Sequence, residues 1–461
     1  MRDKALEDTP ASDRVDLITK GDLRRAFLVL ALPDMAMMLG NLLFEIVDMF
    51  WVGKTNAEGI AAIAVASFII WALKALANIV SVGTTALISM CAGGREWERL
   101  SGWFRRGLLL ALVYALVLIM AGLTTLDPVT GYMGLEEEVR EMAKAYLAIF
   151  YISLPIVFLF AFSDNIFRSR GDTLTPATIT ALALTLNAVL DPVLIFGLQG
   201  APQLGVAGAA LASAISQSIG LALFMWRLRK EGLTLGLPPG LLGMESLRSF
   251  AQITRVGAPT ALTSTLLSLL YILLTRTVSQ FGTDQIAAMG VGQRWEGLAY
   301  FAAMATSTTV ATMVGQNLGA GNPARARKAA GMATGYLMAF TAVVSVIFIF
   351  GGGSLASALT SDPAVVEATR SYLRIIGYFE FFTALEVGLE GAFIGSGNTL
   401  PPFFISVPLT VARVPVAWYT AQTVLGIEAV WWTISISTLI KGVLMAAWFS
   451  RGRWAEPRVK I

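Results

Sequence analysis

The chain has 461 residues, of which 56% are hydrophobic and only 14% are charged. With a mean hydropathy of +0.68, this composition is typical of a protein that crosses a membrane many times, and it excludes a soluble globular core. The formal net charge of +3 does not indicate nucleic-acid binding, a single cysteine excludes an internal disulfide, and the lack of histidine removes a common metal ligand and proton carrier.

The first 25 residues are polar and charged, and they lack the order of basic start, apolar core and cleavage site that marks a signal peptide. We expect residues 1–25 to be a retained cytoplasmic segment. At roughly 20 residues per crossing, the remaining chain has room for about a dozen transmembrane helices. Apolar runs place them near 26–50, 60–92, 107–126, 143–167, 174–197, 204–226, 252–280, 286–316, 330–352, 370–394, 401–422 and 427–449.

The loops predicted on one side of this layout are basic, whereas the loops on the opposite side are acidic or neutral. The basic loops carry Arg95, Arg105, Arg168, Arg170, Arg227, Lys230, Arg325 and Arg451. The positive-inside rule then places both termini in the cytoplasm of a multi-pass protein of the cell's inner (plasma) membrane. Trp431 and Trp432 are expected to be interfacial anchors.

The two halves of the chain resemble one another at a constant offset: Ala31-Leu32-Pro33 matches Gly257-Ala258-Pro259, and Gly171-Asp172-Thr173 matches Gly397-Asn398-Thr399. Six helices in each copy imply two lobes related by a pseudo-two-fold axis along the membrane normal, as in transporters with parallel repeats. The predicted all-α protein therefore consists of a first lobe at 26–227, a cytoplasmic linker at 228–250, a second lobe at 251–449 and a cytoplasmic tail at 450–461.

Asp191 lies in the apolar segment LTLNAVLDPVLIFG, and Asn187 lies one helical turn before it on the same face. A charged carboxylate at membrane depth costs between about 3 and more than 10 kcal/mol, so such residues usually mark an ion or substrate path. A helix break is expected at Pro192. The alternative is a buried polar pair that only joins helices.

Further acids lie inside predicted spans. Glu45, Asp48 and Asp164 join Asp191 in the first lobe and outnumber its one expected intramembrane base, Lys74. In the second lobe Glu296, Glu380, Glu386 and Glu390 accompany Arg413, which could pair with either Glu386 or Glu390 of the tenth span. Asp164 and Glu390 are repeat partners, either by function or by coincidence. Aromatic residues such as Phe44 could line a cavity for cations, or could simply pack.

Taken together, Pro33 with FEIVDMFWVG, the NAVLDPVLIFG segment, the loops RSRGDTLTP and GSGNTLPP and the duplicated twelve-helix layout resemble the multidrug and toxic compound extrusion (MATE) family of the MOP flippase superfamily. The resemblance covers nearly the whole chain. It implies a transporter, not an enzyme, that exports organic cations by alternating access of two lobes while H⁺ or Na⁺ enters.

By matching motifs, the resemblance assigns the ion-coupling site to Asp48, Tyr146, Asn187, Asp191 and Ser213. The acid that other members carry on the tenth span would align with Thr383, so the resemblance does not assign the acids of that span. From the charged and aromatic side chains inside the spans, we predict substrate binding by Phe44, Glu45, Asp164, Glu296, Glu386 and Glu390. Ser213 stands where threonine is common, Phe44 where tyrosine is common and Asp164 where asparagine is common. No cofactor besides the coupling ion is expected, and the expected partners are the lipid bilayer and small organic cations, with no nucleic acid and no second subunit. The alternatives are a lipid or lipid-linked saccharide flippase, which would need several basic residues for a pyrophosphate, and a non-transporting scaffold.

H⁺ is favoured over Na⁺ as the coupling ion. Burial and a neighbouring like charge favour the protonated carboxyl, so Asp48 could share a proton with Asp191 or Glu45. No resident metal is expected, because the sequence does not supply a recognisable cage of several oxygens. Binding of Na⁺ at Asp48, Asn187 and Asp191 stays an open alternative.

Overall fold

The fold is taken from a computed structural model, which describes residues 10–52, 57–133, 136–233, 236 and 243–456. Within these ranges the side chains at 10, 11, 41–50, 52, 57, 60, 64, 68 and 268 are not described. The described residues form helices and connecting turns, without strands. The helices are α1 (Pro10–Thr19), α2 (Leu23–Val52), α3 (Ala57–Gly93), α4 (Trp97–Tyr132), α5 (Glu137–Ser169), α6 (Leu174–Phe196), α7 (Val206–Lys230), α8 (Met244–Val278), α9 (Thr283–Gly319), α10 (Pro323–Ser357), α11 (Pro363–Gly377), α12 (Glu380–Gly395), α13 (Leu400–Thr420) and α14 (Ile427–Ser450).

The expected all-α fold with twelve membrane-spanning helices in two lobes is confirmed. Ten of the helices are long and apolar enough to cross a bilayer, counted over the described residues. The other two crossings are α2, and α11 followed by α12. Helix starts follow local chemistry: Asn322 accepts a hydrogen bond from the Arg325 amide at the start of α10, and Asp362 accepts one from the Ala364 amide at the start of α11.

The tenth span is broken, although one continuous helix was predicted over 370–394. It consists of α11, with 15 residues, and α12, with 16 residues, separated at Tyr378 and Phe379. Each half alone is too short to cross a bilayer, which needs about 20 residues. Broken helices at membrane depth occur where the freed backbone groups are buried in protein or line a cavity.

The break expected at Pro192 is wrong. Helix α6 continues through this proline to Phe196, and it ends at Gly197, whose φ of +71° places it in the left-handed region. A proline removes only its own N–H from the helix, and membrane helices tolerate this loss when neighbouring groups satisfy the freed carbonyl. Asn187 and Asp191 therefore lie on an uninterrupted helix.

The helices group into two compact units. The first comprises Met1–Asp16 and Leu32–Ala261, and the second comprises Leu17–Ala31 and Leu262–Ile461. These boundaries differ from the predicted lobes, because α2 and α8 each contribute residues to both units. In both helices the change of unit falls close to an internal proline, Pro33 in α2 and Pro259 in α8.

Trp431 is buried in the core of the second unit and is not an interfacial anchor. Its ring meets Tyr372 edge to face at 4.8 Å between centroids. This pair joins α11 to α14 within a cluster that also contains Met289, Phe348 and Ile434. Burial of aromatic surface against several helices stabilises the lobe around the broken span.

Candidate functional site

The polar residues of α6 and α7 meet inside the first lobe. The amide nitrogen of Asn187 donates to Oδ1 of Asp191 at 2.9 Å, and the Ser213 hydroxyl donates to the Asn187 oxygen at 3.3 Å. Asp191 is fully buried, and Asn187 is 3% exposed. A Cβ on Gly208 would lie 2.6 Å from the Leu194 carbonyl oxygen, so glycine permits the close approach of α7 to α6 next to this cluster.

The remaining residues assigned to ion coupling lie on α5 and α2. Tyr146 is buried on α5, which packs against α7. Asp48 lies on α2, together with Glu45 and Phe44, but their side chains are outside the described residues. The structure thus brings Asn187, Asp191 and Ser213 into one hydrogen-bonded cluster, and it leaves the contribution of Asp48 a prediction.

Asp164 forms an ion pair with Arg168, one turn further along α5. Nε of Arg168 lies 2.6 Å from Oδ2 of Asp164, and Nη2 donates to Oδ1 at 3.1 Å. Arg168 also pairs with Asp34, which directly follows Pro33 on α2 and is fully buried. The expectation that Arg168 lies in a basic loop is wrong, because it occupies the last turn of α5 and is 4% exposed. One guanidinium therefore neutralises two acids, and Lys74 is not the lobe's sole intramembrane base.

In the second lobe the acid of the tenth span pairs with a lysine that was not anticipated. Nζ of Lys441 on α14 lies 2.8 Å from Oε1 of Glu386, and the Ser406 hydroxyl donates to the same oxygen at 3.0 Å. Arg413 instead donates to the hydroxyls of Ser437, at 2.5 Å, and Thr438, at 2.9 Å. The expected pairing of Arg413 with an acid of this span is therefore wrong.

The other second-lobe acids lie close to tyrosines. The Tyr372 hydroxyl donates to Oε2 of Glu296 at 2.7 Å, and Tyr372 is the repeat partner of Tyr146. Glu380, at the start of α12, is buried, and its Oε1 receives no hydrogen bond from the described residues. Glu390, one turn after Glu386, lies within electrostatic range of Glu386 and Lys441.

Three groups in these clusters were missed or misplaced from the sequence: Asp34, Arg168 and Lys441. Lys441 interrupts the apolar run TISISTLIKGVLMAAWF, and Asp34 interrupts the first span, so the cost of a charge at membrane depth would have flagged both. Arg168 carried no such signal, because it lies at a helix end beside a predicted loop.

The family model MatE matches residues 33–193 and again 259–419, which together cover more than half of the chain. The second match is displaced from the first by the same amount at its start and at its end, and Pro33 and Pro259 begin the two, so the matches confirm the repeat offset. The chain is 28% identical over 450 residues to a probable multidrug resistance protein NorM of Thermotoga maritima, covering 95% of this chain and 94% of that relative. It is 26% identical to an FAD transporter of Shewanella oneidensis, covering 79% and 80%.

Among solved structures, an outward-facing multidrug resistance MATE transporter of the MOP superfamily superposes with a TM-score of 0.86 at 23% identity, covering 97% of this chain and 99% of that chain. That likeness supports the fold. Because the family model recognises both halves of a twelve-span, duplicated helical membrane protein, the chain belongs to the MATE family of transporters and is not an enzyme.

Proposed function

We propose that this protein is a proton-driven antiporter that exports lipophilic organic cations. The observation that carries the proposal is the buried carboxylate of Asp191 inside the first lobe, which accepts a hydrogen bond from Asn187, whose oxygen in turn accepts one from Ser213. A carboxylate at this depth is costly, and intramembrane carboxylates usually mark an ion, proton or substrate path. Multidrug export is supported by the probable NorM protein of Thermotoga maritima.

The geometry around Asp191 favours H⁺ over Na⁺. The amide of Asn187 presents its nitrogen to Asp191, and its oxygen accepts from Ser213. In this orientation the amide oxygen is directed away from the carboxylate and does not join it as a ligand for a cation. Hard cations such as Na⁺ need several converging oxygens, whereas a proton needs only the carboxylate itself.

The proposed cycle uses protonation as the switch. With Asp191 ionised, the acidic lobe attracts an organic cation; with Asp191 protonated, that attraction weakens and the cation leaves. The proton and the cation then shift the population of the two access states in opposite directions. We place both termini in the cytoplasm of the plasma membrane, on the basis of the basic residues near the predicted cytoplasmic ends.

Among the predicted substrate-binding acids whose side chains are described, Glu390 is the one whose charge has no compensating partner, so it gives the second-lobe cluster the excess negative charge that attracts a cation. Asp164 and Glu386 already have basic partners, and Glu296 accepts from a tyrosine. Among the described residues none donates a hydrogen bond to Glu390, which is half-buried on the same face of α12 as Glu386. Tyr300 lies within electrostatic range of both acids and supplies an aromatic face for a lipophilic cation.

The test is transport in proteoliposomes under one imposed gradient at a time. Tetraphenylphosphonium efflux should follow a proton gradient, cease with a proton ionophore and ignore a sodium gradient at constant pH. Efflux driven by sodium and insensitive to the ionophore would reject proton coupling. Equal binding of a lipophilic cation and its anionic isostere would reject the substrate class.

The matched variants are Asp48→Asn and Asp191→Asn, each compared with Asp127→Asn. We expect either site variant to abolish gradient-driven efflux, since an amide cannot cycle a proton. Asp127 is 69% exposed and pairs with Lys144, so its variant should transport normally. Undiminished efflux in both site variants would remove Asp48 and Asp191 from the coupling step.

A lipid or lipid-linked saccharide flippase stays the second candidate. Arg413 and Lys441 are buried bases that could bind a phosphate group. The relative in Shewanella oneidensis is named for transport of FAD, a molecule that contains a pyrophosphate. Both bases already have partners in this structure. Saturable binding of a pyrophosphate-bearing lipid, with no binding of tetraphenylphosphonium, would favour the flippase.

A further inference from the structure

Lys441 places an ammonium group on the carboxylate that was expected to bind substrate. Its Nζ lies 2.8 Å from Oε1 of Glu386, and the two side chains are only 6% and 12% exposed. Helix α14 approaches α12 closely at this point, because a Cβ on Gly442 would lie 2.8 Å from the Phe382 carbonyl oxygen. The pair is therefore held by the packing of two helices.

The two bases of this cluster differ in how firmly they are fixed. Arg413 is bound by two hydroxyls and, at 3.4 Å, by the Ile434 carbonyl oxygen. Lys441 is bound to a single carboxylate through a flexible four-carbon chain, which carries a compact charge with three rotatable donors. Of the two, Lys441 is the base that can change partner.

A second acceptor for Lys441 lies nearby. Glu390 is four residues after Glu386, so the two carboxylates lie on one face of α12, with about 5–6 Å between their Cβ atoms. Lys441 lies within electrostatic range of both acids. When all three groups are ionised, they carry two negative charges and one positive charge, which leaves a net charge of −1 for one monovalent cation.

We propose that Lys441 is a built-in counter-cation of the second-lobe site, which an organic cation must displace from Glu386, and which thereby sets the affinity and charge preference of that site. The inference rests on the proposed export of organic cations. When the ligand arrives, Lys441 moves to Glu390 and stays inside the cluster, so neither carboxylate is left uncompensated. Without the lysine, the site would hold cations tightly and release them slowly.

The test is a charge cycle on the purified full-length protein, with tetraphenylphosphonium as the cationic probe and triphenylphosphine oxide as the neutral one. With every remaining group ionised, the net charge at positions 386, 390 and 441 is −1 in the natural protein, −2 in Lys441→Met, 0 in Glu386→Gln and −1 in the double variant. We expect Lys441→Met to tighten tetraphenylphosphonium binding by about tenfold or more and Glu386→Gln to weaken it by a similar factor. The double variant should bind within about threefold of the natural protein.

Triphenylphosphine oxide should bind equally to all four proteins, and Lys144→Met should leave both affinities unchanged, because that lysine pairs with Asp127 and Glu141 outside the cluster. Lys441→Met that folds but binds the cation no more tightly than the natural protein would overturn the inference. If that single variant does not fold, the double variant decides, since it must bind at least about tenfold more tightly than Glu386→Gln.

The outcome separates this inference from the proposed function. Export of tetraphenylphosphonium by the natural protein, without the predicted order among the variants, would overturn only the role of Lys441. If only Lys441→Met bound tetraphenylphosphonium, the result would contradict cation export by the natural protein. It would still support the claim that Lys441 competes with a cation for Glu386. Absence of binding in every variant would overturn both.

Discussion

Asn187 makes two hydrogen bonds that differ in strength. The bond to the carboxylate of Asp191 is 2.9 Å long and involves a group that can be charged, whereas the bond from Ser213 is 3.3 Å long and joins neutral groups. Hydrogen bonds to charged groups contribute about 1.5–3 kcal/mol, and neutral ones contribute about 0.5–1.5 kcal/mol. The amide is therefore the main support of Asp191 among the residues described, and Ser213 acts through the amide.

We predict that Asn187→Ala reduces proton-driven efflux on the order of tenfold, because it removes the direct donor to Asp191. Ser213→Ala, the matched comparison, should reduce efflux only about two- to threefold. The measurement is the initial efflux rate in proteoliposomes at equal protein density. A larger loss in Ser213→Ala than in Asn187→Ala would contradict this order.

Arg168 compensates two buried acids, Asp34 and Asp164. Removing one partner from a buried ion pair leaves an uncompensated charge and typically costs about 3–5 kcal/mol. We predict that Arg168→Met strongly lowers the thermal unfolding temperature in detergent, and that Arg168→Lys recovers part of the loss, because an ammonium lacks the planar fork that binds Asp164 at two atoms.

Arg99→Met is the control for this change. Arg99 pairs with Glu96 at 2.6 Å, but its side chain is 59% exposed, and exposed pairs contribute about 0–1 kcal/mol. Similar unfolding temperatures for Arg168→Met and Arg99→Met would show that the buried network does not stabilise the lobe.

The sequence predicted the acids better than their partners. The cost of a charge at membrane depth identifies Asp191 from the sequence alone, and helical spacing places Asn187 beside it. No local pattern says which base faces which acid, since Glu386 meets Lys441 through the packing of α12 against α14, a helix that is distant along the chain. The pairing of Arg413 was mispredicted for that reason.

At the scale of elements, α9 and α11 pack closely where the ring of Tyr372 lies against Gly292. The Tyr372 hydroxyl donates to Glu296, and a Cβ on Gly292 would overlap the Tyr372 ring. We predict that Gly292→Ala destabilises the protein by about 1–3 kcal/mol, because the Tyr372 ring must shift and its contacts with Glu296 and Trp431 are disturbed. The measurement is thermal unfolding in detergent.

Gly290 on the same helix provides a matched control. A Cβ there meets no atom within 4 Å, so Gly290→Ala should be neutral or stabilising by about 0.5–1 kcal/mol through its helix propensity. If both alanine variants unfolded at the same temperature, the close contact between Gly292 and Tyr372 would not matter for stability.

Hydropathy located the elements well where apolar runs are long, as in α6, predicted over 174–197 and observed as Leu174–Phe196. Hydropathy did not predict the break in the tenth span, because the residues around Tyr378 and Phe379 are as apolar as those of an unbroken membrane helix. Backbone geometry, which hydropathy does not encode, separates α11 from α12 there.

At the scale of the whole molecule, the two sequence repeats and the two compact units have different boundaries. Residues 251–261 begin the second repeat directly after the predicted linker, yet they belong to the first unit. Thr254 is hydrogen-bonded to Tyr114 at 2.8 Å, and Gly83 allows the Ile253 backbone to approach α3 closely. The first turns of α8 are therefore held by the first repeat through contacts and not only through the linker.

We predict that cutting the chain within the linker, at a protease site inserted between Gly236 and Gly243, leaves the two fragments together. The contacts of α8 with α3 and α4 bury apolar helix surface that would otherwise be exposed on separation. The fragments should co-elute in size-exclusion chromatography in mild detergent, and cleaved protein in proteoliposomes should retain tetraphenylphosphonium efflux comparable to that of the same uncleaved variant. Fragments that separate on the column would show that the linker holds the halves together, and that the contacts of α8 do not.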